Sequence, residues 1–232
     1  GEATGTTQNS GALLIGTGKA TGSSGAISIT GGEGTGGAGG ALTLSAGEGD
    51  TAGGTVQLTS GKSDSGSSGE MLLTTSQGGT FSGLITLSTG KALNGNSGAL
   101  YIGSGVATSG RSGSIKMTVG DSNSGSGGEI VISAGETNSA TGETGGKVTI
   151  TSGKSSETSS GEIAIATPNG GSTGGISGFV SMTTGKSTLG NSGLILLSTG
   201  QSVDGNSGLL SLSSGEATGT TQNSGALLIG TG

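Results

Sequence analysis

The chain has no cysteine, no histidine and no tryptophan. Without His and Cys it has no ordinary zinc, copper, haem or iron–sulfur ligand set and no Ser/His or Cys/His nucleophile, so neither a metal nor a cofactor nor catalysis is expected. Charged residues make up 9% and the net charge is −6, with no basic cluster, which argues against nucleic acid and anionic membranes as partners. No apolar run approaches the roughly eighteen residues of a membrane span, so no membrane insertion is expected, and no signal peptide is visible. Proline occurs once and aromatic residues reach only 1%, while glycine occurs 57 times. On composition alone such a chain falls among disordered or low-complexity segments.

Periodicity argues the other way. Residues 1–18 read GEATGTTQNSGALLIGTG and residues 215–232 repeat them letter for letter. A match of that length implies an array with a long repeat of 214 residues. Inside it lies a shorter one, anchored on the Gly of motifs such as Asn96-Ser97-Gly98, Asn191-Ser192-Gly193 and Asn206-Ser207-Gly208. Equivalent anchor glycines stand at 11, 25, 40, 54, 69, 83, 98, 113, 128, 146, 161, 178, 193, 208 and 225, at steps of 14 to 18 residues. Fourteen short repeats make one long one.

Two and four places after every anchor sits an aliphatic residue. The pairs include Leu13/Ile15, Ile27/Ile29, Leu42/Leu44, Val56/Leu58, Ile85/Leu87 and Ile195/Leu197, and the rule holds through Leu227/Ile229. A spacing of two is the signature of a strand, since alternate side chains share one face; a helix would space its apolar residues by three and four. Another Gly follows seven places after nearly every anchor, which suggests corners of positive φ or close backbone approach. Place 9 holds only Ala, Gly, Ser or Thr, as if small residues of one wall faced Ile and Leu of another.

These features predict an all-β fold: a thin, flattened β-solenoid of about 14 coils per 214-residue unit, mostly 14–18 residues per coil. Residues 1–214 form one unit, residues 215–232 begin the next, and no separate globular domain is expected. The aliphatic pairs named above would be the core ladder. With equivalent strands stacked at the usual spacing, one unit would advance about 67 Å.

Charges concentrate at place 8, where stacking would set Lys19 against Glu33, Glu48 against Lys62 and Glu136 against Lys154. Such a column would serve register and solubility. Phe179, Leu194, Leu196, Leu209 and Leu228 fall on outward places of adjacent repeats and form a candidate lateral contact. Two repeats replace the second-corner Gly with Ser76 or Pro168, and their Phe81 and Ile176 are expected to tuck beneath the corner. The Gly-Lys-Ser triplets at 61–63, 153–155 and 185–187 are corners of the short repeat and not a phosphate loop, which needs a helix behind it. Asn-x-Ser/Thr sequons are absent, and the many Ser and Thr leave O-linked sugars open.

The motif Gly-x-aliphatic-x-aliphatic, followed by Thr/Ser-Gly-Lys-Ser/Ala and Gly-Asn-Ser-Gly, runs over the whole chain and resembles the very long Gly/Ser/Thr tandem-repeat proteins of diatoms and related algae. That resemblance implies an extracellular or cell-surface structural protein. A coil of about fifteen residues rich in Thr is also similar to the insect β-solenoid antifreeze proteins. Ice binding in that family uses an outward Thr-x-Thr in rank, and here only Thr149/Thr151 fits, beside pairs such as Leu14/Gly16, Lys116/Thr118 and Ala164/Ala166. The expected function is therefore a structural filament of self-stacked repeats with copies of itself as partners. The rigid spacer stalk of a giant adhesin is the alternative, and ice binding the second.

Overall fold

A computed structural model describes residues 10–139, 141–219 and 221–231. Among them there is no helix and no β-strand. The expectation of an all-β solenoid is thereby corrected: among the described residues no sheet and no strand ladder joins one coil to the next, and the axial advance expected from strand stacking has no basis. The chain exposes 22913 Å². A folded monomer of its 21.4 kDa would expose about 9,100 Å² and an unfolded chain about 31,000 Å². No described residue is buried.

The short repeat is nevertheless written into the backbone. The chain divides into two units, Gly1–Lys116 and Met117–Gly232. In the first unit the backbone bends at 21–22, 35–37, 50–51, 64–66, 79–80, 93–95 and 108–110; in the second it bends at 123–125, 141–142, 156–158, 172–174, 188–190, 203–205 and 219. Each bend falls ten to fourteen places after an anchor glycine, one bend to a repeat. Each repeat thus has a bend-free segment at places 1–5, read from its period of two as extended, followed by a loop that turns back toward the next anchor.

The loop closes at its base. The anchor N–H donates to the carbonyl of the preceding place-7 glycine at 2.9 Å in five repeats: Gly40 to Gly32, Gly54 to Gly47, Gly69 to Gly61, Gly146 to Gly135, and Gly161 to Gly153. Joined ends and a short span make each an Ω-type loop. A small residue at place 6 accompanies the bond but does not suffice for it, since among the described residues the repeats with Ser104 and Ser214 there show none. In the five bonded repeats place 6 is Gly31, Ala46, Ser60, Ala134 or Ser152; no repeat with Thr or Val there has the bond. A β-branched methyl fills the gap, as Thr184 Cγ2 does beside Gly193. Two of those threonines substitute a side-chain bond, Thr17 Oγ1 donating to the Gly25 carbonyl at 3.0 Å and Thr167 Oγ1 to that of Gly178 at 3.1 Å.

The anchor glycines are therefore sites of close approach. A Cβ on Gly146 would lie 3.0 Å from the Gly135 nitrogen, and one on Gly128 would press on Val119 Cγ1. The positive φ expected at the corners occurs instead inside the loop, at Gly125 (φ 80°) and its counterparts Gly95, Gly110 and Gly190, twelve places after their anchors. Place-7 glycines meet neither condition, since none has positive φ and a Cβ on Gly18, Gly61 or Gly90 would point into open space.

Why the predicted sheet is missing follows from these local bonds. A strand is stable only with a neighbour to take its N–H and C=O groups. Here the few donors and acceptors that pair do so within the loops, and the extended segments present theirs to no other part of the chain.

Candidate functional site

Inside the loops, place 9 is the inner corner. In four of the six repeats where it is Ser or Thr, its hydroxyl bonds to the bend. Ser63 Oγ accepts the Gly66 N–H at 2.9 Å. Ser155 Oγ accepts from Glu157 at 3.3 Å and Thr158 at 2.9 Å, and meets Thr158 Oγ1 at 3.0 Å. Ser122 Oγ donates to the Ser124 carbonyl at 2.7 Å, and Thr137 Oγ1 accepts from Ser139 at 3.2 Å. Those in which the hydroxyl accepts an N–H, at Ser63, Thr137 and Ser155, are Ser/Thr turns, in which a short side chain imitates a backbone turn. Where place 9 is glycine, the returning limb comes so near that a Cβ on Gly49, Gly78 or Gly170 would overlap the carbonyl oxygen of Ala52, Phe81 or Gly175. Small residues at place 9 thus reflect loop closure, and not an opposing wall of Ile and Leu.

The half-buried residues among those described are Ser60, Ala92, Ser152, Ser155 and Ala217, and each stands at place 6 or place 9. A shallow open depression lined by Thr89, Gly90, Lys91, Ala92, Gly95 and Ser97 is the hollow of one such loop. It carries a single charged group and no pair of titratable side chains. Among the described residues no group of three or more His, Cys, Asp or Glu could hold a metal ion, and no helix is long and apolar enough to cross a membrane.

The charge column does not form. Lys62 pairs with Asp64 of its own loop rather than with Glu48 of the repeat before, and among the described residues no ion pair joins Lys19 to Glu33 or Glu136 to Lys154. Because the loops turn back locally, consecutive place-8 residues are not brought into rank. Phe81 and Ile176 are corrected too, for both stand exposed outside their corners. The glycines beside them, Gly78 and Gly170, are explained by the loop backbone alone.

The aliphatic pairs lie on the extended segments, and none is buried. Leu13, Ile15, Ile27, Ile29, Leu42, Leu44, Val56, Leu58, Ile85, Leu87, Ile195 and Leu197 are all exposed, so the proposed ladder does not form a core within the chain. Their exposure is graded. In the first unit Leu13 is 86% exposed, while the place-2 residues of the following repeats range from 44% to 62%. In the second unit Ile229 is 88% exposed, while the other place-4 residues range from 56% to 73%. The excess at the terminal repeats is the signature of neighbouring repeats partly covering one another's pairs. Within each unit the pairs therefore form a half-covered apolar row. Between them Gln57 Nε2 reaches Thr59 Oγ1 at 3.5 Å, as alternate side chains of an extended segment should.

Phe179, Leu194, Leu196, Leu209 and Leu228, the candidate lateral contact, are also exposed, all in the second unit. The first unit has its own outward apolar residues, Leu72, Leu84 and Tyr101, which sequence reasoning did not single out. They stand at the same places 1 and 3, and extending the place-by-place alignment over every repeat would have found them.

Compared with known proteins, the chain matches no family model, no curated protein and no solved structure.

Proposed function

We propose that the chain is a structural protein whose working state is an assembly of copies of itself, forming an extracellular or cell-surface fibre. One observation carries this reading: thirty aliphatic side chains, two in each of fifteen repeats, are exposed in the isolated chain. Burying one such side chain is worth about 1.5–3 kcal/mol, so a row of them held in water is a large unmet driving force for association. The resemblance to algal Gly/Ser/Thr repeat proteins supports the location.

The test is the concentration dependence of the purified chain. Sedimentation and electron microscopy should show growth into elongated assemblies as concentration rises. A chain that stays monomeric up to millimolar concentration would overturn the proposal, and isolated rods that never associate sideways or end to end would favour a spacer stalk.

A further inference from the structure

Two unmet demands coincide on the same residues. The first is the apolar row. The second is the backbone beneath it: among the described residues no backbone–backbone hydrogen bond involves places 1–5 of any repeat, so segments such as Ala26–Thr30, Ala41–Ser45, Thr55–Thr59, Leu84–Ser88 and Leu194–Ser198 carry a full set of unpaired N–H and C=O groups. A folded domain normally makes about one internal hydrogen bond per residue, mostly backbone to backbone. An extended run of free amides with apolar residues at period two is a template for another strand.

We infer that these segments pair with the equivalent segments of a second copy, so that the β-sheet encoded by the period-two pattern forms between chains and not within one. The inference rests on the self-assembly reading and specifies its chemistry. A second copy is the occupant that fits both demands at once, because it presents apolar pairs and free backbone groups at the same 14- and 15-residue steps that dominate this chain. The aliphatic residues of either unit, with the outward residues between them, supply roughly the 20–30 residues a side of a standard interface. Charge offers little resistance. Over places 1–5 the charged residues are Glu70, Lys116, Glu129, Lys147 and Glu162, of both signs and at most one to a segment.

The loops are built to stay out of the way. In five repeats a backbone bond and in two more a threonine hydroxyl closes the loop at its base, so these loops are self-contained excursions between pairing segments. Place-7 glycines then acquire a reason that the single chain lacks: with no Cβ at the end of the segment, a partner backbone can approach the segment and loop junction closely.

Infrared spectroscopy of the full chain across its assembly threshold is the experiment. The β-sheet amide I band should be missing in dilute monomer and rise in proportion to the assembled fraction. Diluting carbon-13-labelled chain into unlabelled chain should weaken the coupling within that band. A β-sheet band of full strength in the dilute monomer would overturn the inference, since pairing would then be internal. Assembly without the band would remove this inference while leaving the self-assembly reading intact, and absence of assembly would remove both. A triple variant Ser28→Pro, Thr43→Pro, Thr86→Pro deletes three outward N–H groups and leaves every aliphatic pair in place. It should raise the assembly threshold by about tenfold or more, against less than about twofold for Ser28→Ala, Thr43→Ala, Thr86→Ala. Equal thresholds for the two sets would overturn the inference, and protection of the Gly40 and Gly54 amides by Gly32 and Gly47 reports that the loops following the first two substituted segments stay intact.

Discussion

Each repeat divides into two regions of opposite character. The loop, from place 6 to the next anchor, holds all the half-buried residues and nearly all the hydrogen bonds, yet it is made chiefly of Gly, Ser, Thr and Ala. The extended segment holds the Ile, Leu, Val and Met that dominate the apolar content, and it has neither burial nor backbone pairing. Local order and hydrophobic content have been separated along the chain. The contrast shows that a loop can be specified by contacts within about fifteen residues, whereas an apolar strand needs a partner that one chain of this kind does not supply to itself.

The comparison breaks hardest at the apolar row. Replacing Ile85, Leu87, Leu100 and Ile102 with Lys should raise the assembly threshold at least about 100-fold, because each loses about 1.5–3 kcal/mol of burial and gains repulsion, while the loops keep their amide protection. Light scattering against concentration measures the first effect and hydrogen exchange the second. If the loops opened as well, the two regions would not be independent.

Next in size are the loop glycines. Gly78→Ala and Gly170→Ala place a methyl group on a backbone carbonyl of the same loop and should destabilise it locally by about 1–3 kcal/mol. Gly61→Ala, whose Cβ has open space, should change its loop by less than about 0.5 kcal/mol. Nuclear magnetic resonance of each loop separates the two cases, and equal effects would sink the account of loop closure.

Smaller again are single hydrogen bonds. Ser155→Ala removes the acceptor of two N–H groups and should cost its bend about 1 kcal/mol, seen as faster exchange at Thr158. Thr89→Ala runs in the other direction. With the methyl gone, the Gly98 N–H should reach the Gly90 carbonyl as in the five bonded repeats, slowing exchange at Gly98 by an amount worth about 0.5–1 kcal/mol. Least of all is the Lys62–Asp64 pair. Both side chains are exposed, so Lys62→Ala should alter stability by less than about 0.5 kcal/mol, a null result that a denaturation midpoint can check.

Much of the repeat was legible in the letters. Anchor spacing carried the period of the bends but not their place: corners were expected at the anchors and seven places after them, whereas the bends fall ten to fourteen places after. The aliphatic pairs were found without exception, but the strands that their period of two predicts do not form among the described residues. What misled was the step from extended segment to sheet. Alternation reports which side chains share a face; it does not report which chain supplies the neighbour. The small residues of place 9 were misread for a similar reason, since a position restricted to Gly, Ala, Ser and Thr fits a thin wall and the inside of a tight loop equally well. Only the Ser63 and Ser155 turns and the close limbs at Gly49 and Gly78 distinguish the two.

By itself, then, the sequence determined the repeat, its phase, the period of the turns and the identity of the apolar row, all of which depend on residues fewer than about eighteen positions apart. The tertiary structure decided what those elements do with one another. Loops closed on themselves because the anchor N–H and the place-7 carbonyl lie within reach in the same repeat, and closure left the extended segments without hydrogen-bond partners. Burial and strand pairing are properties of what lies beside a segment, and among the described residues neighbouring repeats cover the apolar pairs only in part and pair none of their backbone.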